Sequence, residues 1–151
     1  MNKLIEALKP VLEEDEGKVN SIYLDHLGYP TFGIGHLVKK DDPEYGQPVG
    51  TPVSEERIWE VFEKDVQTCI WEAYEFYAFQ MLETYPLEVQ VVIASLLFQL
   101  GAPRYTKFKK HIAAMREKDY IAAARELKDS RLYRQTTART ERHMERLINA
   151  T

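Results

Sequence analysis

Glu16, Asp25 and Thr31 follow one another with eight and then five residues between them in the segment EGKVNSIYLDHLGYPT. Two carboxylates and a hydroxyl are the minimum set for splitting a glycosidic bond. One carboxyl protonates the leaving oxygen, while the other, helped by the hydroxyl, holds a water on the opposite face of the sugar. Each residue also has a plain structural use: Glu16 as a charge at a helix end, Asp25 as a cap for the turn toward Gly28, Thr31 as a β-former.

The elements that must position these groups can be read from the flanking pattern. Residues 2–14 carry Leu4, Ile5, Leu8, Val11 and Leu12 at helical spacing, with Pro10 in the interior and Gly17 as a stop. From Ser21 to Leu37, Gly28, Pro30, Gly33 and Gly35 alternate with Ile22, Tyr23, Phe32 and Ile34, a signature of short strands and tight turns. Residues 38–53 read as an irregular loop. Ser54 followed by two glutamates opens a long helix whose face (Ile58, Val61, Phe62, Val66, Cys69, Ile70, Ala73, Tyr77) predicts a run to Met81 or beyond, with Pro86 as its limit. Residues 87–101 are apolar almost all round, which predicts a central buried helix. Shorter helices are expected at about 106–117, 119–129 and 137–149, with Thr106, Asp119 and Thr136 or Thr137 as caps.

These elements predict an α+β architecture in one domain of 151 residues. A β-rich lobe covers about 15–53, a connecting helix about 54–83, and a helical lobe about 84–151 with 1–14, leaving a cleft between lobes as the natural substrate site. A chain of this length buries about 70% of its unfolded surface. No apolar run reaches the ~18 residues of a membrane span, and the acidic, amphipathic first residues do not form a signal core. A cytoplasmic start is therefore expected. The single cysteine, Cys69, rules out an intrachain disulfide and suits a small buried position. His26, His36, His111 and His143 lack metal-ligand spacing, so neither metal nor other cofactor is expected.

Charge is uneven along the chain. Residues 104–151 hold 13 Lys/Arg against 6 Asp/Glu, within a net charge of −4. A basic C-terminal third could face an anionic polymer or be merely a set of solvated helix faces. No helix-turn-helix with a clustered basic face is present, so no nucleic-acid partner is expected. The aromatic cluster Trp71, Tyr74, Phe76, Tyr77 and Phe79 reads either as core packing or as a protein-binding patch.

Three ordered blocks carry a family resemblance: Glu16-Gly17, Tyr23, Asp25, Gly28-Tyr29, Thr31 and GIGHL (33–37), then FQLG (98–101), then SRLYRQTTARTER (130–142). Together they resemble the T-even phage lysozyme family across most of the chain. The resemblance implies a muramidase that hydrolyses the β-1,4 bond between N-acetylmuramic acid and N-acetylglucosamine in bacterial peptidoglycan, with inversion. In that reading Glu16 is the general acid, and Asp25 and Thr31 hold the attacking water, at a carboxyl separation of roughly 6.5–9.5 Å. Gly35, Leu37, Phe98, Gln99 and Arg139 become substrate-binding positions. Phe98 is equally suited to the core, and Arg139 either to pairing with Glu16 or to solvation. His36 and Asp65 resemble a structural ion pair.

The family's role is host cell lysis by a monomeric endolysin that does not insert in the membrane and waits in the cytoplasm for a holin-type pore. Where the family's phage enzymes place small polar residues in the helical lobe of the cleft, this chain presents His111 and Glu126, and its segment from Leu37 to Ser54 is shorter. Competing readings are a lytic transglycosylase, which has no use for Asp25 and Thr31, and a non-catalytic cell-wall or protein-binding module.

Overall fold

A computed structural model describes residues 2–151. The chain forms two compact units, Lys9–Thr68 and the residues up to Leu8 together with Cys69–Thr151. Helix α1 (Asn2–Glu16) and helix α2 (Glu55–Tyr77) each supply residues to both.

In the Lys9–Thr68 unit, α1 runs unbroken through Pro10 and ends where Gly17, at φ +69, turns its amide back to the Glu13 carbonyl (3.0 Å). That left-handed step is cheap only for glycine. Three antiparallel strands follow in the order β1 (Val19–Leu24), β2 (Pro30–Gly33), β3 (His36–Leu37). Register sets Tyr23 opposite Thr31, and Thr31 opposite Leu37, so one row of side chains crosses all three strands on the same face. On the other face Phe32 pairs with His36, both buried, with ring centroids 4.9 Å apart. A register irregularity lies between Val19 and Tyr23.

The loop after β3 is less irregular than its composition suggests, because its end lies along β1. Thr51 O accepts from Ile22 N, Ile22 O from Gly50 N, and Asn20 O from Val53 N. This backbone pairing covers the outer edge of β1. Ser54 Oγ then accepts from Arg57 N (3.1 Å) and caps α2, whose Ile58, Val61, Phe62 and Val66 are buried.

The second unit is helical. Helix α2 stops at Tyr77, short of the expected Met81, because Ala78 takes a left-handed φ of 63° and starts α3 (Phe79–Thr84). No glycine or proline marks that break. It accompanies aromatic packing instead: Tyr74 stacks on Phe79 at 4.7 Å, and the phenols of Tyr77 and Tyr105 share a 2.6 Å hydrogen bond. Of the aromatic cluster, Tyr74 and Tyr77 are buried while Trp71 and Phe79 are each 56% exposed. Pro86 opens α4 (Leu87–Leu100), which is buried from Val89 to Leu97 with only Gln90 partly open.

The expected helix at 106–117 is instead α5 (Ala102–Tyr105) and α6 (Lys109–Arg116), with Phe108 rather than Thr106 at the start of α6. Helix α7 (Tyr120–Lys128) is capped by Asp119, which accepts from Ala122 N. A short α8 (Arg131–Gln135), capped by Ser130, precedes α9 (Thr137–Asn149), where Thr136 stands first but its side chain makes no capping bond. Helix α7 packs against α6 and α9, and α4 against α9.

Candidate active site

Seven of the sequence-selected residues, Glu16, Asp25, Thr31, Gly35, His36, Leu37 and Asp65, lie within the Lys9–Thr68 unit. Glu16 is the last residue of α1 and is half-buried. Its carboxyl lies directly over Gly35: a Cβ built on that glycine would come within 2.6 Å of Oε2. Glycine at φ +67 is what lets the β2–β3 turn approach the carboxyl so closely.

Asp25 follows β1 in the hairpin turn. Its Oδ1 accepts from the amides of Leu27 and Tyr29, both at 2.9 Å, and its own backbone pairs with Tyr29 and Gly28. This is the Asx geometry that fixes a short turn. Across the hairpin, Thr31 is 4% exposed, and its hydroxyl donates to Tyr29 O at 2.9 Å. Its proton is thus committed, and Oγ1 is left to accept from a water. The carboxylate of Asp25 can only accept when ionised. Each of the two side chains can therefore accept a hydrogen bond from water.

His36 anchors the sheet to α2. Its Nδ1 stands 2.7 Å from Asp65 Oδ2 and its Nε2 2.8 Å from Asp42 Oδ2. Burial alone would push this imidazole down, but hydrogen bonds and charge from Asp65 and Asp42 outweigh it and hold it above the usual histidine value. Asp42 also accepts from Lys39 N. That bond and His36 keep its carboxyl below the usual range despite its burial. Arg57 extends the network to Asp42, Glu44 and Glu60. Sequence reasoning did not find Asp42, because nothing in the composition of a charged loop marks one aspartate as a histidine partner.

Sequence reasoning named Tyr23 in the resemblance but gave it no role, although alternation on β1 places it on the face of Asp25. Burial first, and then the charges of Glu16 and Asp25, push its phenol above the ordinary value. Leu37, the last member of the row, is 47% exposed.

Phe98, Gln99 and Arg139 lie in the helical unit. Phe98 and Gln99 are half-buried near the end of α4, and Gln99 Nε2 donates to Thr136 Oγ1 at 3.3 Å. Arg139 is buried rather than solvated, with Nη2 donating to Ser95 Oγ at 3.4 Å. His111, expected as an open cleft residue, is 1% exposed; its Nδ1 donates to Ala123 O at 2.9 Å, and burial pushes its imidazole down to about 4. Beside it, the half-buried Glu126 lines a pocket of about 430 Å³ with Lys107, Lys109, Asp129 and Arg131. Among the described residues no group of three His, Cys, Asp or Glu could hold a metal ion.

No family model matches the chain. Individual proteins do. The chain is 30% identical to "Probable T4-type lysozyme 2" of Dictyostelium discoideum and 26% identical to "Probable T4-type lysozyme 1" of the same organism, in each case over 92% of both chains. It is also 26% identical to the pre-baseplate central spike protein Gp5 of Enterobacteria phage T4, over 90% of this chain and 26% of that protein. The small N-terminal antiparallel sheet, the helical bulk and a match running nearly end to end agree on one fold, lysozyme-like α+β. On that identity and coverage, the chain belongs to the T4-type lysozyme family.

Proposed function

We propose that this protein is a glycoside hydrolase that cleaves the β-1,4 bond between N-acetylmuramic acid and N-acetylglucosamine in bacterial peptidoglycan, with inversion. The observation that carries the reading is the hairpin. It sets Asp25 and Thr31 on either side of one turn, both with free accepting capacity for a water, while Glu16 is seated on Gly35 in the same unit. Glu16 then protonates the leaving oxygen as water attacks the anomeric carbon from the side of Asp25 and Thr31. The proton that the water loses passes to Asp25.

Gly35 and Leu37, in the same unit as Glu16, are the positions assigned to the sugar chain. In this reading the protein acts as an endolysin: a monomer that reaches the wall through a pore made by another protein and lyses the cell. The lysozyme names of the two Dictyostelium proteins support the chemistry, and the phage spike protein supports a link to phage biology.

The test is turbidity loss of outer-membrane-permeabilised Gram-negative cells, wild type beside Glu16→Gln, with mass spectrometry of the fragments. Wild type should clear the cells and release reducing muramic ends. Glu16→Gln should lose on the order of 10²–10⁴-fold in rate while keeping its fold. A folded Glu16→Gln variant that keeps more than a few per cent of the activity would remove the acid assignment, and anhydro ends would replace hydrolysis with transglycosylation.

A further inference from the structure

Asp25 and Thr31 share a limitation. In the proposed hydrolysis both present acceptors to the attacking water, Asp25 as a carboxylate and Thr31 because its hydroxyl proton is spent on Tyr29 O. Two acceptors fix the two protons of a water but leave it free to swing about the line joining them. A third contact, from a donor to one of its lone pairs, stops that rotation and leaves the other lone pair directed at the sugar.

The sheet places one phenol where such a donor is needed. Tyr23 is the cross-strand partner of Thr31, and Leu37 is the partner on the far side of Thr31, so the three side chains stand in a row on one face. Asp25 follows Tyr23 by two positions and begins the turn as β1 ends, which returns it to the same face. Tyr23 is half-buried and stands at the β1 end of this row, with Thr31 between it and Leu37. Burial first, and then the charges of Glu16 and Asp25, hold this phenol above its ordinary value.

We propose that Tyr23 is a third water-positioning residue, whose phenolic O–H donates to the nucleophilic water held by Asp25 and Thr31. This rests on the hydrolase reading above and deepens it. No proton is transferred by Tyr23. It donates one hydrogen bond before and during attack, while the proton leaving the water goes to Asp25.

The test compares wild type, Tyr23→Phe, Thr31→Val and Glu16→Gln on soluble peptidoglycan fragments, with kcat and KM measured separately and thermal melting recorded for each. Tyr23→Phe keeps the ring and its packing and removes only the donor. It should lower kcat about tenfold, the worth of one hydrogen bond, with KM and melting temperature unchanged. The double variant Tyr23→Phe/Thr31→Val should lose less than the product of the two single losses, since both act on one water. A Tyr23→Phe enzyme with kcat within twofold of wild type overturns the proposal while leaving the hydrolase reading intact, and so does a loss seen in KM alone. A loss that tracks a fall in melting temperature assigns Tyr23 to structure and equally overturns it. If wild type and Glu16→Gln are both inactive, the hydrolase reading fails, and the Tyr23 proposal fails with it.

Discussion

Asp65, on α2, and His36, on β3, meet at 2.7 Å across 29 positions of sequence, and the other nitrogen of the same ring is held by Asp42. A histidine kept charged by two carboxylates gives stability that is complete below its unfolded pKa of about 6.5 and is lost as pH rises through its raised folded value. The Asp42 carboxyl works in the opposite sense, contributing above the usual aspartate range and fading as pH falls through its lowered value. Thermal melting of wild type and His36→Gln from pH 5 to 9 checks this. The gap between the two should be widest near pH 6 and should shrink as pH rises.

Gly35→Ala should damage activity more than stability. The left-handed backbone costs roughly 1–2 kcal/mol for any side chain, and the new methyl must displace the Glu16 carboxyl. Gly28→Ala serves as a control, since its φ of +86° carries the same kind of backbone cost while nothing stands within 4 Å of the added atom. Similar melting temperatures, with lysis lost only in Gly35→Ala, are the expected result.

Asp25→Asn and Asp25→Ala separate the two jobs of one residue. The asparagine amide oxygen can still accept from Leu27 and Tyr29, so stability should change by less than about 1 kcal/mol while the rate falls on the order of 10²-fold. Alanine loses both turn bonds and should add a stability loss of roughly 1 kcal/mol or more. Urea unfolding beside the fragment-release assay reads both quantities.

His143, on α9, is fully buried, and neither ring nitrogen has a hydrogen-bond partner among the described residues. Burial, and then the charges of Arg139, Arg146 and Arg142, hold its pKa far below the ordinary value. The unfolded chain therefore takes up a proton below about pH 6.5 that the folded chain refuses, and stability falls on acidification. His143→Leu should raise stability by about 1 kcal/mol at pH 7, and its advantage over wild type should grow toward pH 4.5 in chemical-denaturant titrations.

The parts of the fold written in local chemistry were legible. Gly17 and Gly28 announced turns, Ser54 and Asp119 announced helix starts, and the apolar run from Leu87 announced a buried helix; each is where the sequence put it. The break at Ala78 was not legible, because an alanine in a left-handed conformation is imposed by the packing of Tyr74 on Phe79 and of Tyr77 on Tyr105 rather than by its own preference. The burial of His111 was missed for a similar reason. A histidine directly after two lysines reads as surface, and only the packing of α6 on α7 encloses it. At the site, residue types and spacing singled out Glu16, Asp25 and Thr31, whereas Asp42 became visible only with the path of the loop, and the place of Tyr23 beside Thr31 only with the register of the strands.

The register irregularity between Val19 and Tyr23 makes the hairpin a device that counts residues. The face on which a strand residue lands depends on parity, so losing or gaining a single residue between Val19 and Tyr23 would turn the following stretch over and send Tyr23 and Asp25 to the side occupied by Phe32 and His36. Substitutions at Asn20 or Ser21 leave the count untouched. For descendants of this chain the expected pattern is a short stretch fixed in length, with Ile22 kept apolar by its burial.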